Sequence, residues 1–466
     1  MKEKYVEWGK NLVLTALLFA MLLQSAYILV LNQLYPTSTG TLSGFSMLLR
    51  DIRSTGTRQD SLQGGTGREL WPSGVVLLSD VGDSMLLFRS ENEAAQVSEV
   101  LELAVETLRD GRPFYTDQGF LSCLERDGLL IDLGRLLPVD VALLLMGEAV
   151  PLKFQTRYLL LTETEDGVML SMDGEHALCY TLKGDAARIT YRDCRQQLAA
   201  ASGLIPVQIS GRSGNPTLET ATIYASRAAR LQTVTGRNSL FDESGAVETA
   251  VLQKVLPVFS YNVSTPRRDV EQDGTLVYVE NYSSLRLSPE GALHFRASET
   301  RHGVAIKDLV SGGGGESFSA GEVMLAGYAL IDQLLSGTGD PVGAGLRFTG
   351  SSFSARENKL YLYYDYVACG LPVYCEGYPH AATLCYEGGF FSDVQMLFRS
   401  YAIGRECRLA DFDRQWRMAE LSTGLTPTTA QLCYEDRQSG GELLPTYRFG
   451  IRELAPEETG EAEPES

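Results

Sequence analysis

The residues of this 466-residue chain best suited to chemistry are eight cysteines, four histidines and a surplus of carboxylates, 59 Asp and Glu against 40 Lys and Arg. A zinc site needs Cys, His or carboxylate ligands at short, set spacings. His176, His294, His302 and His380 stand far apart, and neither H-E-x-x-H nor C-x-x-C occurs, so the pattern points to no metal and no cofactor. Serine chemistry fares no better, because G-x-S-x-G and S-x-x-K are both absent. Glycine clusters at Gly64-Gly65, Gly312–Gly315 and Gly343-Ala344-Gly345 lack a strand before, a helix after and a following G-K-[ST]. They read as loops, not phosphate cradles. Paired carboxylates for glycoside hydrolysis meet only in three dimensions, so an anchored hydrolase has no motif behind it. The chain is expected not to be an enzyme.

Cys123, Cys179 and Cys194 lie in the first half, and Cys369, Cys375, Cys385, Cys407 and Cys433 near the end. An extracytoplasmic setting permits disulfides. Small buried thiols fit the apolar surroundings of Cys375 and Cys385 equally well. The odd count in each group argues that not all pair locally, and the pattern assigns no connectivity.

Which elements would position these groups? The longest apolar run, from Asn11 to about Leu31, follows Lys2, Lys4 and Lys10. About twenty apolar residues cross the ~30 Å hydrocarbon core once, and the run is longer than a cleaved signal peptide needs. The lysines keep residues 1–10 cytoplasmic, since no charge appears between Asn32 and Leu49. Residues 11–34 are therefore expected to be a transmembrane signal anchor in the cell membrane, with the bulk of the chain extracytoplasmic. The formal charge of −19 also speaks against a general nucleic-acid binder. Ala16, Ala20 and Gln24 repeat every four residues, and Tyr27 continues that face. Small residues admit a second helix, and a glutamine amide can hydrogen-bond across the contact. A lipid-facing anchor with incidental alanines is the alternative.

A Gly-, Ser- and Thr-rich linker fills 35–67. A first α+β domain follows over 68–205, with a hairpin around Val81-Gly82-Asp83 and a helix carrying Val97, Val100, Leu101, Ala104 and Leu108. Next comes a meander from Tyr158, closed by a helix from Asp193 to Ala201. A middle α+β domain is expected over 206–310 and a C-terminal one over 318–450, each running helix then strands. Residues 451–466, with six glutamates, form an acidic tail expected to be disordered. The fold class is α+β, antiparallel β-meanders with packed helices behind a single transmembrane helix.

The stretch from Asp273-Gly274-Thr275 through Tyr278-Val279-Glu280-Asn281, the helix before it, the turn Val367-Ala368-Cys369-Gly370-Leu371-Pro372-Val373 and the later Phe398-Arg399-Ser400-Tyr401 resemble the YycH-like regulatory proteins of Gram-positive bacteria. The match covers roughly 246–401, and Cys369 stands where asparagine is usual. The resemblance implies a single-pass membrane protein with a multidomain extracytoplasmic body. It also implies action on a cell-wall-regulating two-component sensor histidine kinase, together with a YycI-like companion. No catalytic residues belong to the family. The alternative is an anchored scaffold or cell-wall-binding module in which Tyr361, Tyr363, Tyr364, Tyr366, Tyr374 and Tyr378 stack on sugars. Alternating aromatics in a meander are also what half-buried cross-strand pairs look like.

Overall fold

Alternating and continuous apolar runs of the first half build a nine-stranded sheet from β1 (Gly74–Leu78), β2 (Asp83–Leu87), β3 (Arg112–Tyr115), β4 (Gly128–Pro138), β5 (Gln155–Glu163), β6 (Gly167–Met172), β7 (Leu178–Lys183), β8 (Ile205–Ile209) and β9 (Ile223–Ala225). The strand order is 3-7-6-5-4-1-2-8-9, and each neighbouring pair is antiparallel. The computed structural model describes residues 72–88, 93, 96–115, 120–138, 155–173, 178–213, 221–226, 229–241, 246, 247, 249–262, 268–280, 282–309, 318, 320–336, 344–354, 356–438 and 440–450. The expected N-terminus 1–10, anchor 11–34, linker 35–67 and acidic tail 451–466 lie outside the described residues. Among the described residues, no helix is long and apolar enough to cross a membrane.

Strand β6 is buried on both faces, as a run apolar at all but Ser171 allows. Helices α1 (Ser98–Asp110), α2 (Phe120–Leu124) and α3 (Asp185–Ala200) pack against the sheet. In α1, Val100, Leu103, Ala104 and Leu108 face inward at the spacing a 3.6-residue turn demands. One element departs from expectation. The closing helix begins at Asp185, not Asp193, because Ala187, Tyr191, Cys194 and Leu198 form a helical stripe behind Gly184. That stripe directly follows the meander, so its first turns read as more of the same alternation.

The second half contributes β10 (Arg230–Asn238), β11 (Arg268–Val270), β12 (Leu276–Glu280), β13 (Ser283–Leu287), β14 (Ala292–Ala297), β15 (Val304–Ala305), β16 (Ala344–Ser354), β17 (Lys359–Ala368), β18 (Leu371–Cys375), β19 (Ala382–Glu387), β20 (Phe390–Leu397), β21 (Arg399–Arg408), β22 (Thr429–Asp436), β23 (Gly441–Leu443) and β24 (Thr446–Gly450). Strands β21, β10 and β23 form a three-stranded sheet. The other twelve form one sheet ordered 11-12-13-14-20-19-17-18-22-24, with β15 on β20 and β16 on β17. Only β18 and β22 pair in parallel among the described strands. The sheet runs without a break through both segments read as middle and C-terminal domains, because β14 pairs with β20 (Ala292 opposite Leu397, Phe295 opposite Val394). Helices α4 (Thr249–Val258) and α5 (Ala320–Leu335) pack on each other, and Val251, Val255, Leu330 and Leu334 are among their buried residues.

The two large sheets are joined by specific contacts. Cys369 and Gly370 make a two-residue turn between Ala368 and Leu371 with φ of 50° and 80°. Cysteine takes the left-handed position where asparagine would be easier. At Gly370 a Cβ would sit 3.1 Å from the Leu87 side chain and the Phe88 carbonyl, so the turn presses its backbone against the end of β2. The Tyr447 hydroxyl accepts from the Ala225 amide (2.8 Å), and Gln431 donates to the Gly134 carbonyl (3.3 Å). The architecture is mixed α+β and mostly antiparallel.

Candidate functional site

Helix α6 (Phe412–Thr423) lies between β21 and β22 in the chain and sits where the first sheet meets the last strands. Its ends are well made. Asp411 accepts from the Arg414 amide (3.2 Å) as N-cap, and Gly424 closes the helix in the left-handed conformation. One face is anchored by aromatics. Phe412 stacks on Tyr224 of β9 at 4.4 Å, meets Tyr447 edge-on at 4.9 Å and lies 5.7 Å from Phe449. Gln415 accepts from the Thr446 hydroxyl (2.9 Å) and the Tyr447 amide (3.2 Å).

The opposite face is open. Met418 is 61% exposed and Leu421 80%, with Leu425 beyond the cap at 55%. Arg414 and Arg417 are exposed on the same side, since 414, 417, 418 and 421 follow helical spacing. Asp411, Asp413, Arg414, Arg417 and Met418 line a shallow cleft of about 350 Å³. Single exposed apolar residues are ordinary, but a cluster beside arginines has the composition of a protein contact. With the cap side chain gone, Asp411→Ala is expected to lower stability by about 1 kcal/mol, read by urea unfolding.

The two strands that flank α6 in the chain also share a buried polar knot, at their ends away from the helix. Arg399 of β21 and Asp436 of β22 are each 3% exposed in their side chains, with Nε and Oδ2 3.3 Å apart. The Tyr401 hydroxyl donates to Asp436 Oδ2 (2.9 Å), and the Gln438 amide donates to Oδ1 (2.7 Å). Cys375 Sγ lies 3.5 Å from the Tyr401 hydroxyl. Burial, with Cys375 and Asp436 close by, pushes the Tyr401 phenol far above its usual range, so it stays a donor. Burial likewise raises the Cys375 thiol to about 11. Glycine at 236, opposite Tyr401 in β10, leaves room for the knot, since a Cβ there would lie 2.9 Å from the Tyr401 ring and 3.2 Å from Asp436 Oδ2. The Arg399 Nε and Nη2 groups have no hydrogen-bond partner among the described residues.

The face expected to meet a partner helix, Ala16, Ala20, Gln24 and Tyr27, lies outside the described residues. The tyrosines considered for sugar stacking are engaged within the sheet. Tyr364 and Tyr366 are buried, Tyr363 stacks on His380 at 4.4 Å, and Tyr374 lies under Arg448 at 4.2 Å while donating to Gln431. His294 and His380 sit beside Asp393 and Asp365, and His302 stacks on Tyr282. Among the described residues, no group of three or more His, Cys, Asp or Glu is placed to hold a metal ion. All eight cysteines are free thiols; Cys407 is half-buried and the others are buried.

Helix α6 is absent from the reading of the sequence, although signals for it exist. Asp411 before and Gly424 after bracket Phe412, Trp416 and Ala419 at helical spacing, but the outward Met418 and Leu421 blur that stripe.

With the whole path of strands in view, a comparison with solved structures is decisive for the fold. The fold is YycH-like. The crystal structure of YycH from Bacillus subtilis superposes with a TM-score of 0.50 at 12% sequence identity, covering 83% of this chain and 95% of that one. No family model matches the chain. Nor does any curated protein sequence.

Proposed function

We propose that this chain is a membrane-anchored, extracytoplasmic regulator of a two-component sensor histidine kinase concerned with cell-wall homeostasis. It acts through its transmembrane helix and the open face of α6, beside a companion of YycI-like fold. The observation that carries the reading is the YycH-like fold, which extends over 83% of the chain, well beyond the 246–401 stretch where the sequence itself resembles that family. The occupant of α6 is an amphipathic segment of the kinase's extracytoplasmic part, its apolar side on Met418 and Leu421. The contact rests on Met418 and Leu421, with Arg414 and Arg417 beside them and Asp411 and Asp413 lining the same cleft, so its rim meets charges of both signs.

The membrane half of the proposal has its own test. Ala20→Leu with Gln24→Leu is expected to lower kinase recovered with the chain from membranes about fivefold, for ~1 kcal/mol of lost helix contact. Unchanged recovery would remove Ala16, Ala20, Gln24 and Tyr27 from the interface. The scaffold or wall-binding alternative has less support, since its tyrosines already have partners within the sheet.

A further inference from the structure

Among the described residues, three exposed large apolar side chains fall close together in the chain: Met418, Leu421 and Leu425. The chain leaves its last strand beside them. The Gly450 carbonyl at the end of β24 accepts from the Thr428 amide (3.0 Å), and Thr428 follows Leu425 by three residues. Sixteen residues, Ile451 to Ser466, come after Gly450 in the sequence. Ile451 and Leu454 stand first, and five of the six glutamates follow from Glu457 onward. Read back from that exit, α6 presents the same order. Leu421 and Met418 come first, then Arg417 and Arg414. Its carboxylates are Asp413 in the first turn, behind the cap Asp411, and Glu420, which accepts from the Thr426 hydroxyl (2.7 Å). Reach is no obstacle, since sixteen extended residues cover up to ~50 Å and a twelve-residue helix rises ~18 Å.

We propose that residues 451–466 cover the open face of α6 in the same chain and compete there with the partner that docks on it. Ile451 and Leu454 lie on Leu421 and Met418, and Glu457 and Glu458 meet Arg417 and Arg414. The acidic stretch goes no further along the helix, because Asp411 and Asp413 repel it. So short a segment binds weakly on its own, but tethering gives it an effective concentration on the order of millimolar. The entropy lost in ordering it keeps the cover displaceable. The consequence for signalling rests on the reading of α6 as the kinase contact, whereas the contact of tail with helix does not.

The test uses the full-length protein in nanodiscs without kinase, with the photo-crosslinker benzoylphenylalanine in place of Leu421, whose side chain is 80% exposed. A second preparation carries it at Val270 of β11, 58% exposed and at the opposite end of the strand order from β24. Irradiation is followed by denaturing electrophoresis, digestion of the monomer band and peptide mass spectrometry. The expected product joins position 421 to a peptide from 451–466, at least about fivefold more abundant than any such product from position 270. Ile451→Asp with Leu454→Asp should lower its yield at least about fivefold. Equal yields from both positions, a product joining two chains, or a lipid adduct at 421 without the tail peptide overturns the proposal. With kinase present, deleting 451–466 should tighten association about fivefold, as for a face covered about four-fifths of the time. A crosslinked tail whose deletion leaves kinase association unchanged upholds the tail contact and removes the kinase from α6.

Discussion

Asp436→Ala is expected to cost the protein about 3–5 kcal/mol, seen as a lower urea midpoint and an earlier thermal transition. The loss comes from what the substitution leaves behind. Arg399 would keep its charge at 3% side-chain exposure with no counter-ion, while its Nη2 already lacks a hydrogen-bond partner among the described residues. The Tyr401 hydroxyl and the Gln438 amide would lose their acceptor at the same time. Asp436→Asn keeps an oxygen for Tyr401 or Gln438 but removes the charge, so it should be nearly as damaging. Arg399→Met combined with Asp436→Leu removes both charges together and should recover the part of the loss due to the unpaired arginine, while the Tyr401 hydroxyl and Gln438 amide still lack their acceptor. If Asp436→Ala falls within about 0.5 kcal/mol of the parent, the pair does not hold these strands together.

The second large effect concerns binding rather than folding. Met418→Asp with Leu421→Asp should weaken association with the sensor kinase at least about thirtyfold, or ~2 kcal/mol, as truncation of central contact residues does. Both side chains are mostly exposed, so the thermal midpoint should hardly move. Arg414→Glu with Arg417→Glu should act mainly on the association rate, with an effect that fades as salt rises. Binding of the parent chain to anionic vesicles that the aspartate pair abolishes, with kinase association intact, would assign this face to lipid instead.

Much of the fold is legible because the local patterns are strong. The stripe of α1, the hairpin of β13 and β14 and the strands β17 to β21 all carry period and turn chemistry in their own residues. Helix α3 starts eight residues before the position its pattern suggests, because Gly184 looks like another hairpin turn and the stripe begins immediately behind it. The union of β14 with β20 is not legible. It joins residues about a hundred positions apart across a glycine-rich segment, and nothing local specifies long-range pairing. The site is less legible still. Arg399, Tyr401 and Asp436 are ordinary letters until β21, β22 and β10 converge, and Gly236 marks the knot only once Tyr401 stands opposite it.

The central claim, that this chain regulates a sensor kinase through α6, is tested most directly by autophosphorylation in nanodiscs. The kinase is assayed alone, with the full-length chain, and with its Met418→Asp/Leu421→Asp variant. The account predicts a changed rate with the parent chain and a return to the kinase-alone rate with the variant. Equal rates in all three preparations would contradict it.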